Sequence, residues 1–170
     1  MQKYSIIERL KFIFSFAILI IFLSGNIGHA QISVHNIDTR SHIFSSFETN
    51  DLRLLAFNKV YTKYRVIYLI SLLKAEPQWH NFKSRDLDIN IDDEETLYHA
   101  KFVKTEAKDI EQNKPNNLTT WAEYEGEYEL ITKLKNANKV TITAYFEDEA
   151  PLTFQIPDNI LQEWKTVIDH

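Results

Sequence analysis

The chain has no cysteine and only three glycines among its 170 residues. Without cysteine it has no disulfides, thiolate zinc sites, iron–sulfur clusters or thiol nucleophiles. Gly25 and Gly28 lie near the start, which leaves Gly126 as the only glycine after residue 30. No loop can therefore close glycine amides around a phosphate, and no serine stands in a G-x-S-x-G turn. These absences exclude the common nucleotide-binding loops and serine-hydrolase motifs.

Residues 1–30 have the three zones of a cleavable signal peptide. A basic start is followed by an apolar run from Phe12 to Leu23, and a short polar stretch then ends in Gly28-His29-Ala30. Small residues at the last and third-last positions favour cleavage after Ala30. A membrane anchor is the alternative, but it needs about 20 apolar residues, and this run is shorter. The sequence therefore predicts an exported protein that begins at Gln31.

Cleavage after Ala30 would leave 16 basic and 23 acidic residues, which is a formal net charge of −7. This charge disfavours binding to nucleic acids and to anionic membranes, whereas a basic protein partner fits it. Small eukaryotic secreted domains usually rely on disulfides, and many periplasmic proteins do not. We therefore predict a bacterial periplasmic or secreted protein that does not associate with the membrane once the signal peptide has been removed.

The exported part is predicted to contain one folded domain. Residues 31–47 are polar without a strong hydrophobic period, and we expect them to form an N-terminal arm. Residues 48–170 are predicted to form a single α+β domain. Its expected core is a mostly antiparallel sheet of about five strands with two to three helices.

The segment 51–73 has two interpretations. In the first, Asn50 or Asp51 caps a short helix, and residues 65–73 then form a strand that is buried on both faces. In the second, one long helix continues through Leu73. The helix in either case rests on apolar residues at helical spacing: Leu52, Leu55, Ala56 and Val60.

The remaining segments have clearer periods. Residues 85–91 alternate between polar and apolar side chains, which is typical of a strand with one solvated face, and 96–105 is its predicted neighbour. The C-terminal part is predicted to run helix, strand, turn, strand, helix, over 128–137, 140–146, 152–156 and from Pro157 onward. We expect the last helix to dock through one apolar face: Ile160, Leu161, Trp164, Val167 and Ile168.

The acidic segment 86–95 is the most conspicuous candidate site. Its oxygen-bearing side chains alternate along the chain, as in a calcium loop, but Ile91 and Leu97 occupy the positions at which an EF-hand needs glycine and glutamate. We therefore interpret the segment as the solvated face of a strand, without a metal site. Its outward carboxylates are candidate contacts for a basic partner: Asp86, Asp88 and Asp92.

Aromatic residues supply the second candidate site. Trp121 and Tyr124 follow a polar loop and lie close to Gly126, so we expect them to be exposed and to anchor an interface. The histidines after residue 30 have no two members at metal-binding spacing, and a zinc site would need ligands from distant segments. His80 and His99 each stand beside an aromatic residue and are weak candidates for acid–base chemistry. No catalytic residue, metal or cofactor is predicted.

These observations favour a small exported protein that is not an enzyme and that binds another protein. An immunity or inhibitor protein of the periplasm is a specific form of this hypothesis, because an acidic surface can meet a basic enzyme cleft. The alternative is a small periplasmic hydrolase that uses dispersed Asp, Glu and His residues. A deep pocket holding a carboxylate or imidazole would favour the hydrolase. A flat acidic face beside an exposed Trp or Tyr would favour the binding protein.

Overall fold

A computed structural model describes residues 33–37, 40–49, 52–76, 80–109 and 118–170. The described residues form one antiparallel sheet of nine strands, in the order β1-β2-β3-β4-β7-β6-β5-β8-β9, and two helices. The strands are β1 (Ser33–Ile37), β2 (Arg40–Phe47), β3 (Leu54–Tyr61), β4 (Val66–Glu76), β5 (Leu87–Ile91), β6 (Leu97–Asp109), β7 (Leu118–Gly126), β8 (Val140–Ala144) and β9 (Leu152–Gln155). The helices are α1 (Tyr128–Asn136) and α2 (Asp158–Asp169).

The predicted α+β fold with about five strands is wrong. The structure is dominated by a single curled sheet, and only two short helices pack on it. The helix expected after Asp51 is instead strand β3, which pairs with β2 on one side and β4 on the other. Leu54, Leu55, Ala56 and Phe57 are all buried, so both faces of this strand are apolar. Such a run satisfies helical and extended spacing equally well, and pairing with two neighbouring strands decides the outcome.

The segment predicted to be a polar arm contributes two strands to the sheet. Strand β2 pairs with β3 over seven residue pairs, and β1 pairs with the outer edge of β2. Residues 1–30, predicted to be the signal peptide, lie outside the described residues. So do residues 110–117, which belong to the polar loop that precedes Trp121 in the sequence.

The C-terminal part follows the predicted order of helix, strand, turn, strand and helix. Helix α2 begins directly after Pro157, whose carbonyl accepts the first helical hydrogen bond from the Leu161 amide at 2.9 Å. Proline suits this position because its φ already matches the helix and it has no amide to leave unpaired. The predicted strand over 65–73 is also found, as β4, which extends to Glu76.

The two helices cover one face of the sheet, which we call the inner face; the opposite one is the outer face. Helix α2 packs across β2 and β3, and α1 packs against α2 and β6. The Trp164 ring is fully buried and stacks on Phe57, with 4.8 Å between the ring centroids. All five residues of the predicted docking face of α2 are buried, which confirms that prediction. In the described part of the chain, neither helix has the length and apolar character needed to cross a bilayer.

Candidate functional site

Asp88 lies on the outer face of β5, between His99 of β6 and Thr143 of β8. Its neighbours Leu87 and Ile89 point into the core, so strand alternation turns Asp88 outward, as predicted. The carboxylate is nevertheless only 8% exposed. The expectation of a solvated carboxylate at this position is therefore wrong.

Three side chains surround the Asp88 carboxylate. His99 Nδ1 lies 3.0 Å from Oδ1, and Arg85 donates to Oδ2 at 3.3 Å. The Tyr145 hydroxyl donates a short hydrogen bond to the same Oδ2. This bond raises the pKa of the Tyr145 phenol, because the carboxylate favours the protonated form. The Arg85 guanidinium also stacks 3.9 Å from the centre of the Tyr145 ring. The carboxylate is thus buried by its own partners.

Asp86 and Asp92 are also engaged within the fold. Asp86 Oδ1 accepts a 2.7 Å hydrogen bond from the Phe102 amide, at a bulge in β6 between Phe102 and Lys104. Asp92 lies outside β5, in the turn to β6, where it and Asp93 have positive φ angles of 53° and 55°. The Glu94 amide closes this turn on the Ile91 carbonyl, and the two positive φ angles are those of a type I′ turn.

The Asp92 carboxylate ties that turn to the connection between α1 and β8. Its Oδ1 accepts hydrogen bonds from the amides of Asn138 and Lys139, both at 2.7 Å. The three predicted carboxylates therefore do not form one free acidic face. Asp86 and Asp88 lie on a common depression, whereas Asp92 stabilises a turn further along the chain.

Tyr124 is not at the surface. It lies on the inner face of β7, is 1% exposed, and meets Phe102 edge-to-face at 5.9 Å. Burial strongly raises the pKa of its phenol, and the charge of Asp86 adds to the effect. The sequence-based expectation of an exposed Tyr124 fails because the polar residues before it gave no information on which face of β7 would be covered.

Trp121 is half-exposed on the outer face of β7, as predicted. The Lys104 ammonium lies 4.3 Å from the centre of its ring, a cation–π contact that holds the indole against the sheet. Lys104 also lies 3.2 Å from Glu106 and 3.5 Å from Glu123. We call this patch the Trp121 surface; it comprises Leu73, Lys104, Glu106, Trp121 and Glu123, which neighbour one another on β4, β6 and β7.

Glu123 has an unusual environment within the Trp121 surface. Burial raises the pKa of its carboxyl above the usual 4.5, and the nearby Lys104 ammonium lowers it in part. Across the strands it faces Ser71, whose hydroxyl accepts a hydrogen bond from Asn58 at 3.2 Å. A polar row therefore crosses the outer face from β3 to β6.

The Asp88–His99 pair could perform acid–base chemistry. The carboxylate bonded to Nδ1 orients the imidazole and leaves Nε2 as the nitrogen that could exchange a proton. The pair borders an open depression of about 410 Å³, which is also lined by Ser84, Arg85 and Asp86. The His99 side chain is 53% exposed, so solvent reaches it freely. Water-excluded stabilisation of a reacting group would be weak at such a position.

One further charged cluster lies at another edge of the sheet. His80, Asp148 and Glu149 form the one group among the described residues whose ligand atoms lie close enough together to share a metal ion. Sequence spacing could not reveal it, because its members are separated by almost 70 positions.

Comparison of the chain with protein-family models, with curated proteins and with solved structures finds no match. The function of the protein is therefore inferred from the geometry of these sites.

Proposed function

We propose that the protein is a small exported binding protein, without catalytic activity, that contacts another protein through the Trp121 surface. The observation that carries the proposal is the half-exposed Trp121 ring on the outer face, with the Lys104 ammonium 4.3 Å from the centre of the ring. Tryptophan is enriched among the residues that dominate binding energy at interfaces. A ring held by a neighbouring cation loses little conformational freedom on binding, which favours affinity.

The charges around the ring indicate the chemistry of the partner. Two carboxylates, Glu106 and Glu123, flank the single cation Lys104, and the exported chain has an excess of acidic residues. A partner that places an apolar side chain over Trp121 and a basic group beside Glu106 would complement this surface. An immunity or inhibitor protein that covers a basic cleft of an enzyme is one form of this proposal.

Capture with a matched pair of variants tests the proposed surface. Three proteins are immobilised and incubated with a periplasmic extract of the source organism: the wild type, Trp121→Ala and Tyr64→Ala. The captured partner is purified, and its affinity for each of the three proteins is then measured. Tyr64 is an exposed aromatic residue in the turn between β3 and β4, outside the Trp121 surface, and serves as the control. We expect Trp121→Ala to weaken binding by about tenfold or more, and Tyr64→Ala to leave it unchanged. Equal affinity of Trp121→Ala and the wild type would refute the proposed surface.

Export is tested separately. The material recovered from the periplasm should begin at Gln31, which intact-mass measurement decides directly. A membrane-bound species that keeps Met1 would favour the anchor and contradict the proposed localisation.

A hydrolase is the second candidate function, and the Asp88–His99 pair is the observation in its favour. Its test is turnover of simple ester, phosphoester and glycoside substrates by the wild type and His99→Gln. Activity that disappears in His99→Gln, but persists in the control His170→Gln at the C-terminus, would support the hydrolase. Absence of turnover in the wild type would favour the binding protein.

A further inference from the structure

The fold brings an imidazole and three carboxylates together at the end of β4. Glu76 is the last residue of β4, and His80 lies four residues later in the chain. Asp148 and Glu149 lie in the turn between β8 and β9. We call Glu76, His80, Asp148 and Glu149 the His80 cluster. Its two chain segments are far apart in sequence and meet only in the folded protein.

A well-packed contact holds the two segments in register. Phe82 and Phe146 form an isolated antiparallel bridge, and their rings lie 4.7 Å apart. Backbone hydrogen bonds of 2.9 Å join the Lys83 amide to the Tyr145 carbonyl and the Glu147 amide to the Asn81 carbonyl. Both phenylalanine rings are only 1% exposed. The positions of the cluster residues are therefore set by the core and by main-chain pairing.

The distances within the cluster fit a bound metal ion. His80 Nδ1 lies 3.3 Å from Asp148 Oδ2 and 3.2 Å from Glu149 Oε1. A tetrahedral zinc ion with ligands at about 2.0–2.1 Å has its ligand atoms roughly 3.3–3.4 Å apart. The three ligand atoms all lie within 4.8 Å of one another, so an ion could bind them once the two carboxylates adjust, and a fourth position would remain for water.

The second nitrogen of His80 has the partner that metal-bound histidines usually have. Nε2 lies 2.9 Å from Glu76 Oε2, so when Nε2 carries the ring proton it donates to the Glu76 carboxylate, and Nδ1 is then the ligand atom on the side of Asp148 and Glu149. Such a carboxylate orients the ring and raises its basicity as a ligand. The His80 side chain is 9% exposed, which further restricts the ring.

The charge balance also favours a dication. With a neutral imidazole, the three carboxylates of the cluster are balanced, among the described residues, by Lys74 alone, which is buried and contacts both Glu76 and Glu149. Two negative charges then remain, and a divalent ion would neutralise them. Lys74 contacts the same Glu149 oxygen as His80, so the ammonium competes with the ion and limits its affinity.

We propose that His80, Asp148 and Glu149 bind a divalent first-row transition-metal ion, with Glu76 as the positioning residue behind His80. One nitrogen and two carboxylate oxygens are a ligand set that zinc accepts in proteins. Calcium and magnesium prefer sites made of oxygen atoms alone. Zinc is therefore the ion with which the site is tested.

Calorimetric titration with zinc chloride of the purified protein, after treatment with a chelator, tests the proposal. We expect one zinc ion per chain, a rise in the unfolding temperature, and weaker binding of calcium and magnesium. Glu76→Gln should weaken zinc binding by about 10- to 100-fold, as loss of the partner of a metal-bound histidine does. His80→Gln and Asp148→Asn should weaken it by at least as much.

The controls separate this site from adventitious binding. Among the described residues, His99 is another histidine that contacts a carboxylate, and His99→Gln should leave zinc affinity unchanged. Asp148 lies in an exposed turn, so Asp148→Asn keeps the test valid if His80→Gln does not fold. Replacing zinc with cobalt should give the visible absorption of a low-symmetry site, and this absorption should disappear in His80→Gln. Zinc affinity unaffected by His80→Gln and Asp148→Asn, or tighter binding of calcium than of zinc, would overturn the proposal.

Discussion

The inner and outer faces of the sheet both bury polar side chains, but they satisfy them differently. On the inner face, Lys59 of β3 donates at 2.7 Å to the Ile168 carbonyl in the last turn of α2. Ser45 of β2 donates at 2.7 Å to Glu163 of the same helix. On the outer face, Asp88 finds its partners on the next strands and in the segment just before β5. Polar groups on the inner face thus attach α2 to the sheet, whereas those on the outer face hydrogen-bond to neighbouring side chains at the surface.

This difference separates stability from recognition. Helix α2 has no basic residue in its last turn, so Lys59 supplies from a strand the cation that favours a helix C-terminus. The inner contacts join α2 to the sheet, and changes there should affect folding. The outer face carries the half-exposed Trp121 and the exposed His99, and changes at these two residues should affect binding or chemistry more than folding, whereas the buried Asp88 on the same face should matter for stability. The following predictions test this division, from the largest expected effect to the smallest.

Trp164→Ala should cause the largest loss of stability, about 3–5 kcal/mol, because it leaves a cavity between α2 and Phe57. Trp164→Phe should cost less, since the buried indole N–H has no hydrogen-bond partner among the described residues. Urea unfolding measures both variants. A cost below about 1 kcal/mol for Trp164→Ala would show that α2 does not depend on this contact.

Asp88→Asn should cost about 1.5–3 kcal/mol, because it removes the charge that binds Arg85, His99 and Tyr145 in a buried position. This expectation replaces the one from the sequence, under which a solvated Asp88 would be neutral to stability. Glu95→Gln, in the exposed turn that follows β5, is the matched control and should change stability by less than about 0.5 kcal/mol. Equal effects of the two changes in urea unfolding would mean that the outer-face network is not formed in solution.

Lys59→Met should cost about 1–2 kcal/mol, since it removes the cation and the donor at the C-terminus of α2 while keeping the apolar stem. Lys104→Met on the outer face is the comparison, and its cost should be smaller because Lys104 is half-exposed. Hydrogen exchange of the α2 amides should increase in Lys59→Met alone. Unchanged exchange would contradict the role of Lys59 in attaching the helix.

Glu123→Gln should have the smallest effect on the free energy of unfolding, and the effect should depend on pH. Because its pKa is raised in the folded state, the folded protein retains the proton at pH values at which the unfolded chain has lost it. Its contribution to stability is therefore greatest at low pH and decreases as the pH rises from about 4.5 through the folded pKa. Glu123→Gln should remove this decrease.

The comparison of Glu123→Gln with the wild type is made by urea unfolding across that range. The difference in unfolding free energy between the two proteins should shift in favour of the variant as the pH rises. A constant difference would mean that Glu123 is solvated in the folded protein and that the side chains of the Trp121 surface do not pack around it.

The spacing of apolar and polar residues along the chain correctly predicted the elements whose partners lie nearby in sequence. The β8–β9 hairpin and α2 were predicted because each has one apolar and one polar face, as the burial of Ile142 and Trp164 shows. Strand β2 was missed because Ser45, on its inner face, interrupts the apolar alternation, and its partner Glu163 is 118 positions away. Strand β3 was mistaken for a helix because its apolar run has no period that separates the two structures.

For the candidate sites, the sequence by itself determined that Asp88 points outward and which chemistries are absent. Alternation placed Asp88 on the outer face, and the lack of cysteine and of glycine-rich loops restricted the chemistry. Only the tertiary structure decided that Asp88 is buried and that Tyr124 faces the core. It alone brought His80 to Asp148 and Glu149, because strand pairing joins segments whose separation in sequence carries no information about their distance in space.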